Sequence, residues 1–430
     1  MGKSGDDALA ITTHHNYRHY VIALLFLSSV VNFADRQVFG LLIESIKRDL
    51  IVTDSEIGLL TGFVFAIFHS IAGLPIARWA DTGSRRLVIF TGMMGWSLCT
   101  IGCGLAANFP LLVLARLGIG VGEAAGTPTA HSLVSDYFAK DRRGTALGIV
   151  SVGAGMGVLV ASLGGGWLNQ LYGWRTAFIV LGIPGILLSL LIFFTLKEPV
   201  RGQLDGKAYK PPKSIVASVT TLFSMRAYRH IVMMAALHGF VGSTGLFWHP
   251  SFMQRVHGLS SAEVGTALAM LSPPFAMLGM LLMGKPSDAL ARKDMRWYVW
   301  LMATTMVSVV PFQLFLYCWP TRDALYALAF ISFGAGAGIP ALHAVTQFIA
   351  PTNSRAMASA INVTIVNLAG SGIGAALVGI LNDVLAPAFG QEAIRYSLLV
   401  NAVAAVWCAF HALMAAKTVR ADAAATAAAV

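Results

Sequence analysis

Four charged residues stand inside apolar stretches of the chain. Asp35 and Arg36 are neighbours in VNFADRQVF, and Arg116 and Glu123 belong to RLGIGVGEA. An ionisable side chain at the centre of a bilayer costs about 2.5–3.5 kcal/mol on insertion scales, so such residues pair or face water and usually serve function. Arg116 and Glu123 are two helical turns apart and share one face of a helix. Two acids and two bases balance, as expected of a buried network.

Paired acids and bases in a low-dielectric site suit proton transfer. Burial raises the pKa of a carboxyl group, and a nearby guanidinium lowers it. A site that alternates between these surroundings takes up and releases a proton, while arginine stays charged and can hold an anionic headgroup. We therefore predict that Asp35 and Glu123 carry protons and that Arg36 and Arg116 are their charge partners or bind a substrate headgroup. The alternative is that the four charges only hold the first and fourth spans together.

The elements that position these residues are predicted to be membrane-spanning helices. Hydrophobic residues make up 56% of the 430-residue chain and charged residues 12%, about half of the charged share in soluble domains. Twelve apolar windows have roughly the length that crosses a bilayer. They are 18–43, 56–77, 87–107, 110–134, 144–168, 176–196, 230–254, 262–284, 297–319, 324–349, 355–381 and 394–416. We predict an all-α membrane protein of twelve transmembrane helices in two pseudo-symmetric bundles of six.

The distribution of basic residues predicts the orientation. With both termini in the cytoplasm, 22 of the 30 Lys and Arg residues lie in cytoplasmic segments and six in the opposite loops. This is the bias of the positive-inside rule. The net charge of +10 is thus explained without nucleic acid. We predict a multi-pass protein of the cell (inner) membrane.

The two halves of the chain repeat each other. ARWADTGSRR and GKPSDALARK occupy equivalent loops at an offset of 207 residues, each with an acid four residues before a basic pair. GTPTAHSLVSDYFAKDRR and GIPALHAVTQFIAPTNSR align at an offset of 212. The predicted domains are an N-terminal bundle at 1–196, a cytoplasmic linker at 197–229 with a short interfacial helix, a C-terminal bundle at 230–417 and a tail at 418–430.

These motifs resemble the major facilitator superfamily over nearly the whole chain. The repeated loops resemble its signature G-x-x-x-D-x-x-x-R-[R/K], although Ala77 stands where Gly is usual, and RLGIGVGEA resembles its fourth-helix signature. The glycine run at 153–166 stands where the antiporter signature is found but lacks its proline. The Asp35-Arg36 pair together with RxxxGxGEA is similar to the Spinster branch, which moves lysolipids, sphingoid phosphates and other amphiphiles. The organic anion:cation symporters, which also carry a first-helix arginine, are the second branch that the chain resembles.

The resemblance implies a proton-coupled secondary transporter of amphipathic lipid-like or drug-like molecules that works by alternating access. The alternative is an organic anion:proton symporter for sugar acids or carboxylates. We find no nucleophile–base or metal constellation and expect no enzyme. The proton is the expected coupling ion, with no other cofactor and no metal. The expected partners are a small amphipathic substrate and membrane lipid, with no nucleic acid, and the protein is expected to be a monomer.

A cytoplasmic gate is implied by the same resemblance. Its predicted residues are Asp81, Arg85, Arg86, Asp288 and Arg292. Asp81 would meet the start of the eleventh helix at Asn353 or Ser354, where the helix dipole is positive. For Arg85 and Arg86 the alternative is solvated charges that only fix topology.

A substrate cavity is the last prediction. Its candidate residues are Phe33, His131, Trp248, Phe252, His343 and Gln347. The alternative for the aromatic residues is packing or an interfacial belt, and for the polar ones helix–helix hydrogen bonds. We expect Pro250 to break the seventh helix. The glycine strings at 118–122 and 153–157 favour close helix packing over nucleotide loops.

Overall fold

A computed structural model of the chain describes residues 15–199, 215–351 and 354–428. Helices connected by short turns make up this part of the chain. The α-helices are α1 His15–Leu50, α2 Asp54–Gly58, α3 Phe65–Thr82, α4 Arg85–Leu105, α5 Phe109–Glu123, α6 Gly126–Tyr137, α7 Lys140–Thr195, α8 Ile215–Ser224, α9 Arg226–His257, α10 Ser261–Leu271, α11 Pro273–Ala291, α12 Trp297–Cys318, α13 Ala327–Ile349, α14 Arg355–Ile365, α15 Ala375–Phe389, α16 Ala393–Leu398 and α17 Val400–Ala428. Two π-helices, Leu59–Val64 and Val366–Gly374, continue α2 into α3 and α14 into α15. Short 3-10 turns lie at Arg322–Tyr326 and Gly390–Glu392.

Most of these helices are long and apolar enough to cross a membrane. Ten helical stretches of the described residues meet this condition, and two of them, Arg142–Thr195 and Met357–Thr426, have 54 and 70 residues. A single crossing takes about 20 residues, so each of these two stretches is long enough to cross twice. In α7 the turn lies at Gly173, whose φ of 82° interrupts the helix. Ten stretches are thus compatible with the twelve predicted spans.

Side-chain caps set where several helices begin. Thr53 and Glu56 form a capping box, in which the Thr53 hydroxyl accepts from the Glu56 N–H and the Glu56 carboxylate accepts from the Thr53 N–H at 2.8 Å. Asn108 accepts the Leu111 N–H at 3.0 Å at the start of α5. Such caps satisfy amide groups that have no partner within the helix. The starts of these helices are therefore determined by the local sequence.

Two compact units make up the chain. The first contains the described residues of 1–52, 64–210 and 261–266, and the second those of 53–63, 211–260 and 267–430. Thr53–Phe63 thus belongs to the second unit although the segments before and after it belong to the first. The predicted linker contains the short helix α8, while residues 200–214 of the linker lie outside the described residues. The helix α9 begins at Arg226, within the predicted linker.

The glycine strings lie at close helix contacts, as predicted. A Cβ placed on Gly153 of α7 would lie 2.6 Å from the Phe26 carbonyl of α1, and one on Gly157 would meet the Val30 carbonyl. One on Gly122 of α5 would lie 2.9 Å from a carbonyl of α4. Only glycine allows these backbones to approach so closely.

The predicted break at Pro250 is wrong. The helix α9 runs through Pro250 without interruption from Arg226 to His257. Proline removes one backbone hydrogen bond, but membrane helices tolerate this because the neighbouring turns and helices hold the chain.

Candidate functional site

The four predicted intramembrane charges all lie in the first unit. Helix α1 carries Asp35 and Arg36, and α5 carries Arg116 and Glu123. Asp35 is 1% exposed, and Arg116 and Glu123 are 2% exposed. Asp35, Arg116 and Glu123 are close enough to one another to interact electrostatically. We name these four residues the charge cluster.

Arg36 and Glu123 form the ion pair of the charge cluster. The Arg36 Nε donates to Glu123 Oε2 at 2.5 Å, and the two side chains are 20% and 0% exposed. The Arg36 guanidinium lies 5.5 Å from the ring of Phe33 and 5.4 Å from that of Phe65. A guanidinium over aromatic faces gains cation–π attraction. The Glu123 side of the ion pair is thus fully buried, whereas the Arg36 side is partly accessible.

Asp35 and Arg116 are buried differently. The Thr100 hydroxyl lies near the Asp35 carboxyl group but donates to the Trp96 carbonyl at 3.0 Å. Within the described part of the chain, neither Asp35 oxygen therefore has a well-aligned hydrogen bond, and neither do Nε and one terminal nitrogen of Arg116. The Arg116 guanidinium instead lies 4.2 Å from the Phe39 ring. Buried polar groups in proteins are nearly always hydrogen-bonded, so each exception needs a reason. An arrangement that served only to join α1 and α5 would pair these groups.

Phe65 and His69 lie next to the charge cluster, and Phe65 was missed in the sequence. The Phe65 ring contacts both guanidinia, at 5.4 Å from Arg36 and 5.9 Å from Arg116, and stacks on His69 at 5.7 Å. His69 also makes a 3.2 Å hydrogen bond with the Gly120 carbonyl of α5. His69 was visible as a polar residue in an apolar span. Nothing in the sequence distinguishes Phe65 from the other phenylalanines of that span.

Arg85 of the predicted gate is buried within the first unit. It is 1% exposed and donates to the carboxylates of Asp136 and Glu198, the latter at 2.8 Å, and to the Pro199 carbonyl at 2.9 Å. The alternative of a solvated charge is therefore wrong for Arg85. Opposite charges in its own unit hold it, because an unpaired guanidinium would be expensive to bury. We name Arg85, Asp136 and Glu198 the arginine brace.

The other predicted gate residues are less constrained. Arg86 is half-buried, with its guanidinium 5.7 Å from the Phe193 ring. Asp288 accepts a hydrogen bond from the Tyr298 hydroxyl at 3.0 Å, and Arg292 is exposed. The Asp81 side chain and Asn353 lie outside the described residues. The proposed contact of Asp81 with the eleventh helix therefore stays a prediction.

The cavity candidates fall into two groups. Trp248 and Phe252 are fully buried in the second unit, where the Trp248 Nε1 donates to the Ala375 carbonyl at 3.0 Å and Phe252 packs against Tyr317. Trp248 and Phe252 therefore agree with the alternative of aromatic packing rather than with a place in the substrate cavity. The others have accessible surface: Phe33 is half-buried, while His131, His343 and Gln347 are exposed.

Comparisons with known proteins agree with this architecture. The profile of the Major Facilitator Superfamily matches residues 25–375. An MFS-type efflux pump of Mycolicibacterium smegmatis is 29% identical over 91% of this chain and 92% of its own length. A probable L-galactonate transporter of Escherichia coli is 29% identical over 63% of this chain and 62% of its own length.

A solved structure extends the agreement to the fold. The crystal structure of a bacterial homolog to the human lysosomal transporter Spinster, in an inward-facing and unoccupied conformation, is 28% identical, covers 95% of this chain and 98% of that chain, and has a TM-score of 0.87. The resemblance to the Spinster branch and the predicted fold of twelve spans in two pseudo-symmetric bundles are thereby confirmed. The profile match over most of the chain also makes it a multi-pass membrane transporter rather than an enzyme. The chain belongs to the major facilitator superfamily.

Proposed function

We propose that this transporter is proton-coupled and moves amphipathic, lipid-like or drug-like molecules by alternating access. Asp35 and Glu123 carry the coupling protons in this proposal, and Arg36 and Arg116 set their proton affinity. The observation that carries this proposal is that only one of the two acids, Glu123, is in an ion pair. Glu123 has an arginine partner, whereas Asp35 is buried with no ion-pair partner and no well-aligned hydrogen bond among the described residues.

The two acids suit different protonation states. A carboxylate buried without an ion-pair partner is costly, so in this proposal Asp35 is the acid that takes up a proton. Glu123 can stay charged as long as Arg36 holds it. Arg36 follows Asp35 directly in α1. A rotation of that helix would therefore move Arg36 away from Glu123 and change the charged neighbours of both acids. Such a change would let one acid bind a proton as the other releases one, and the pair would titrate as a unit.

The surroundings of Arg36 support an amphipathic substrate. Its guanidinium is the partly exposed member of the charge cluster, and the half-buried Phe33 lies beside it. A cation next to an aromatic surface can hold a negatively charged headgroup and the start of an apolar chain. The resemblance to the Spinster branch and the similarity to an efflux pump fit this substrate class.

The alternative is an organic anion:proton symporter. The same exposed arginine could bind the carboxylate of a sugar acid with two hydrogen bonds. The similarity to a probable L-galactonate transporter favours this alternative over other small solutes. The two candidates differ in whether the substrate has an apolar tail.

The membrane and the orientation also belong to the proposal. We place the chain in the cell (inner) membrane with both termini in the cytoplasm, because the basic residues cluster on that side. The arginine brace and the Asp288–Tyr298 contact then lie at cytoplasmic ends of the spans. Asp81 would latch this side when the opposite side is open.

Transport by purified protein in liposomes tests the proposal. An imposed pH gradient should drive a labelled lysolipid or a cationic dye, and Asp35→Asn and Glu123→Gln should each abolish the stimulation by the gradient. The matched controls are Asp323→Asn and Glu392→Gln, which neutralise exposed acids elsewhere. Gradient-driven transport of a hexuronate alone would favour the alternative. Full gradient-driven transport by both cluster variants would refute the assignment of the proton carriers.

A further inference from the structure

Thr53–Phe63, which we name the strap, is fastened to the second unit by charged groups. Arg255 of α9 donates twice to the Asp54 carboxylate, from Nη1 to Oδ2 at 2.5 Å and from Nη2 to Oδ1 at 2.7 Å. Asp383 of α15 accepts the N–H groups of Asp54 and Ser55 at 3.2 and 2.7 Å. Asp54 is 2% exposed. A paired fork of hydrogen bonds between buried charges is strong and directional.

The strap lies on a surface made for backbone contact. A Cβ placed on Gly58 would lie 2.6 Å from the Ala375 carbonyl, and one on Gly379 would meet the Asp54 carbonyl. Gly62 approaches the Gly372 carbonyl in the same way. Apart from glycine, only a few apolar side chains of the strap are buried, such as Ile57 at 0%. The hydrogen bonds made by Arg255 and Asp383 therefore contribute much of the stability of the contact between the strap and the second unit.

The strap ends in irregular helix. The π-helix Leu59–Val64 faces the second π-helix, Val366–Gly374, at the Gly62–Gly372 approach. The chain leaves the second unit and enters the first between Phe63 and Val64, inside the first π-helix. Single π-helical turns inside α-helices are rare and occur frequently at functional sites. This turn is therefore a natural point of movement.

Phe65 is the first residue beyond that turn. It is 7% exposed, and its ring contacts the guanidinia of Arg36 and Arg116. Its backbone packs against α5, since a Cβ on Gly120 would lie 3.3 Å from the Phe65 carbonyl. A change in the π-helical turn would displace this ring directly. The strap and the charge cluster are thus joined by a single helical turn.

We propose that the strap is a release element, and that Phe65 couples its attachment to the charge cluster. When the strap leaves Arg255 and Asp383, Phe65 shifts against Arg36 and Arg116, and the Arg36–Glu123 pair is weakened. The charged or titratable groups at the ring are Arg36, His69 and Arg116. Glu123 pairs with Arg36, and Asp35 interacts with Arg116. Phe65 is a positioning residue and binds no substrate here. This inference rests on the proposed function for its meaning, but its test needs no transport.

Maleimide labelling of a buried cysteine reports strap release. Ile57→Cys is the reporter because Ile57 is 0% exposed, and Ile51→Cys is the control because Ile51 is 90% exposed. Native Cys408, also 0% exposed, is kept as an indicator of unfolding, and the other native cysteines are replaced. Arg255→Gln should raise reporter labelling roughly tenfold, since it removes both charged hydrogen bonds that the buried Asp54 carboxylate accepts from Arg255. Arg322→Gln, which removes an exposed guanidinium that donates to the His257 carbonyl at 3.2 Å, should leave labelling unchanged.

A second set of variants tests the coupling through Phe65. Glu123→Gln, which frees Arg36, should raise reporter labelling by about threefold or more, or about 0.6 kcal/mol. In a Phe65→Leu background this response should disappear. Phe63→Leu, a matched change of a side chain that is 48% exposed, should preserve it.

Three results would overturn the inference. They are unchanged reporter labelling in Arg255→Gln, unchanged labelling in Glu123→Gln, and an equal response to Glu123→Gln in the two phenylalanine backgrounds. Labelling of Cys408 together with the reporter would assign the Arg255 effect to unfolding and would also count against the strap. If no pH gradient drives transport while the labelling responses hold, the proposed function fails and the coupling stands.

Discussion

Replacing Arg85 by Met removes a buried guanidinium and keeps the packing of its stem. Arg85 is 1% exposed and donates to the Asp136 and Glu198 carboxylates. Removing one partner of a buried ion pair costs about 3–5 kcal/mol, because the other charge is left unpaired. Glu198 keeps two donors, the Ser84 hydroxyl and the Arg86 N–H, each at 3.0 Å. We therefore expect a loss of about 3 kcal/mol, the lower end of that range.

Thermal unfolding in detergent, followed by tryptophan fluorescence, measures this loss. At about 2 °C per kcal/mol for a large chain, Arg85→Met should lower the midpoint by roughly 6 °C. The matched control is Arg86→Met, whose half-buried guanidinium loses a cation–π contact with Phe193, worth about 0.5–1 kcal/mol. Its midpoint should fall by no more than about 2 °C. Equal shifts for the two variants would refute the arginine brace and favour two solvated charges.

Three further predictions follow from packing and exposure. Gly265→Val should prevent folding, because a Cβ at this position would meet a carbonyl of α7, whereas Gly164→Ala, with open space around it, should fold normally; size-exclusion chromatography in detergent distinguishes the two. Maleimide should label Cys318 of the folded native chain and leave Cys408 unlabelled, since the first is exposed and the second is 0% exposed; mass spectrometry reads the result, and equal labelling would contradict this packing. Trp248→Phe should lower the free energy of unfolding by roughly 1 kcal/mol through loss of a buried hydrogen bond, and an unchanged thermal midpoint would count against that bond.

The spans and the burial of the charge cluster were predictable from the sequence. Apolar windows reveal transmembrane helices because the bilayer fixes their length, and charges inside them are rare enough to be noticed. Asp35, Arg36, Arg116 and Glu123 were found in this way. Which arginine meets Glu123 was left open, because it depends on the rotation of α1 against α5, which no local pattern records.

Pairs between distant residues could not be predicted. Asp54 and Arg255 are 201 residues apart in the sequence, and both lie outside the predicted spans. The capping box of Thr53 and Glu56 was a local signal that went unused, since its spacing fits S/T-x-x-E. It marks the start of the strap. It carries no information on the helix that the strap contacts.

The burial of Arg85 was also hidden. A basic residue at the end of an apolar window is usually solvated, and the positive-inside rule explains its presence without any partner. Its partner Asp136 lies near the end of α6, and its partner Glu198 lies in the segment that follows α7. Their meeting is a property of the folded unit.

Proton movement driven by substrate tests the central claim most directly. Liposomes containing the protein and a pH-sensitive dye receive a lysolipid gradient at equal pH on both sides. The proposed mechanism predicts a substrate-dependent change of internal pH for the native chain and none for the double variant Asp35→Asn, Glu123→Gln. Substrate transport without any pH change in the native chain, or the same pH change in the double variant, would contradict it.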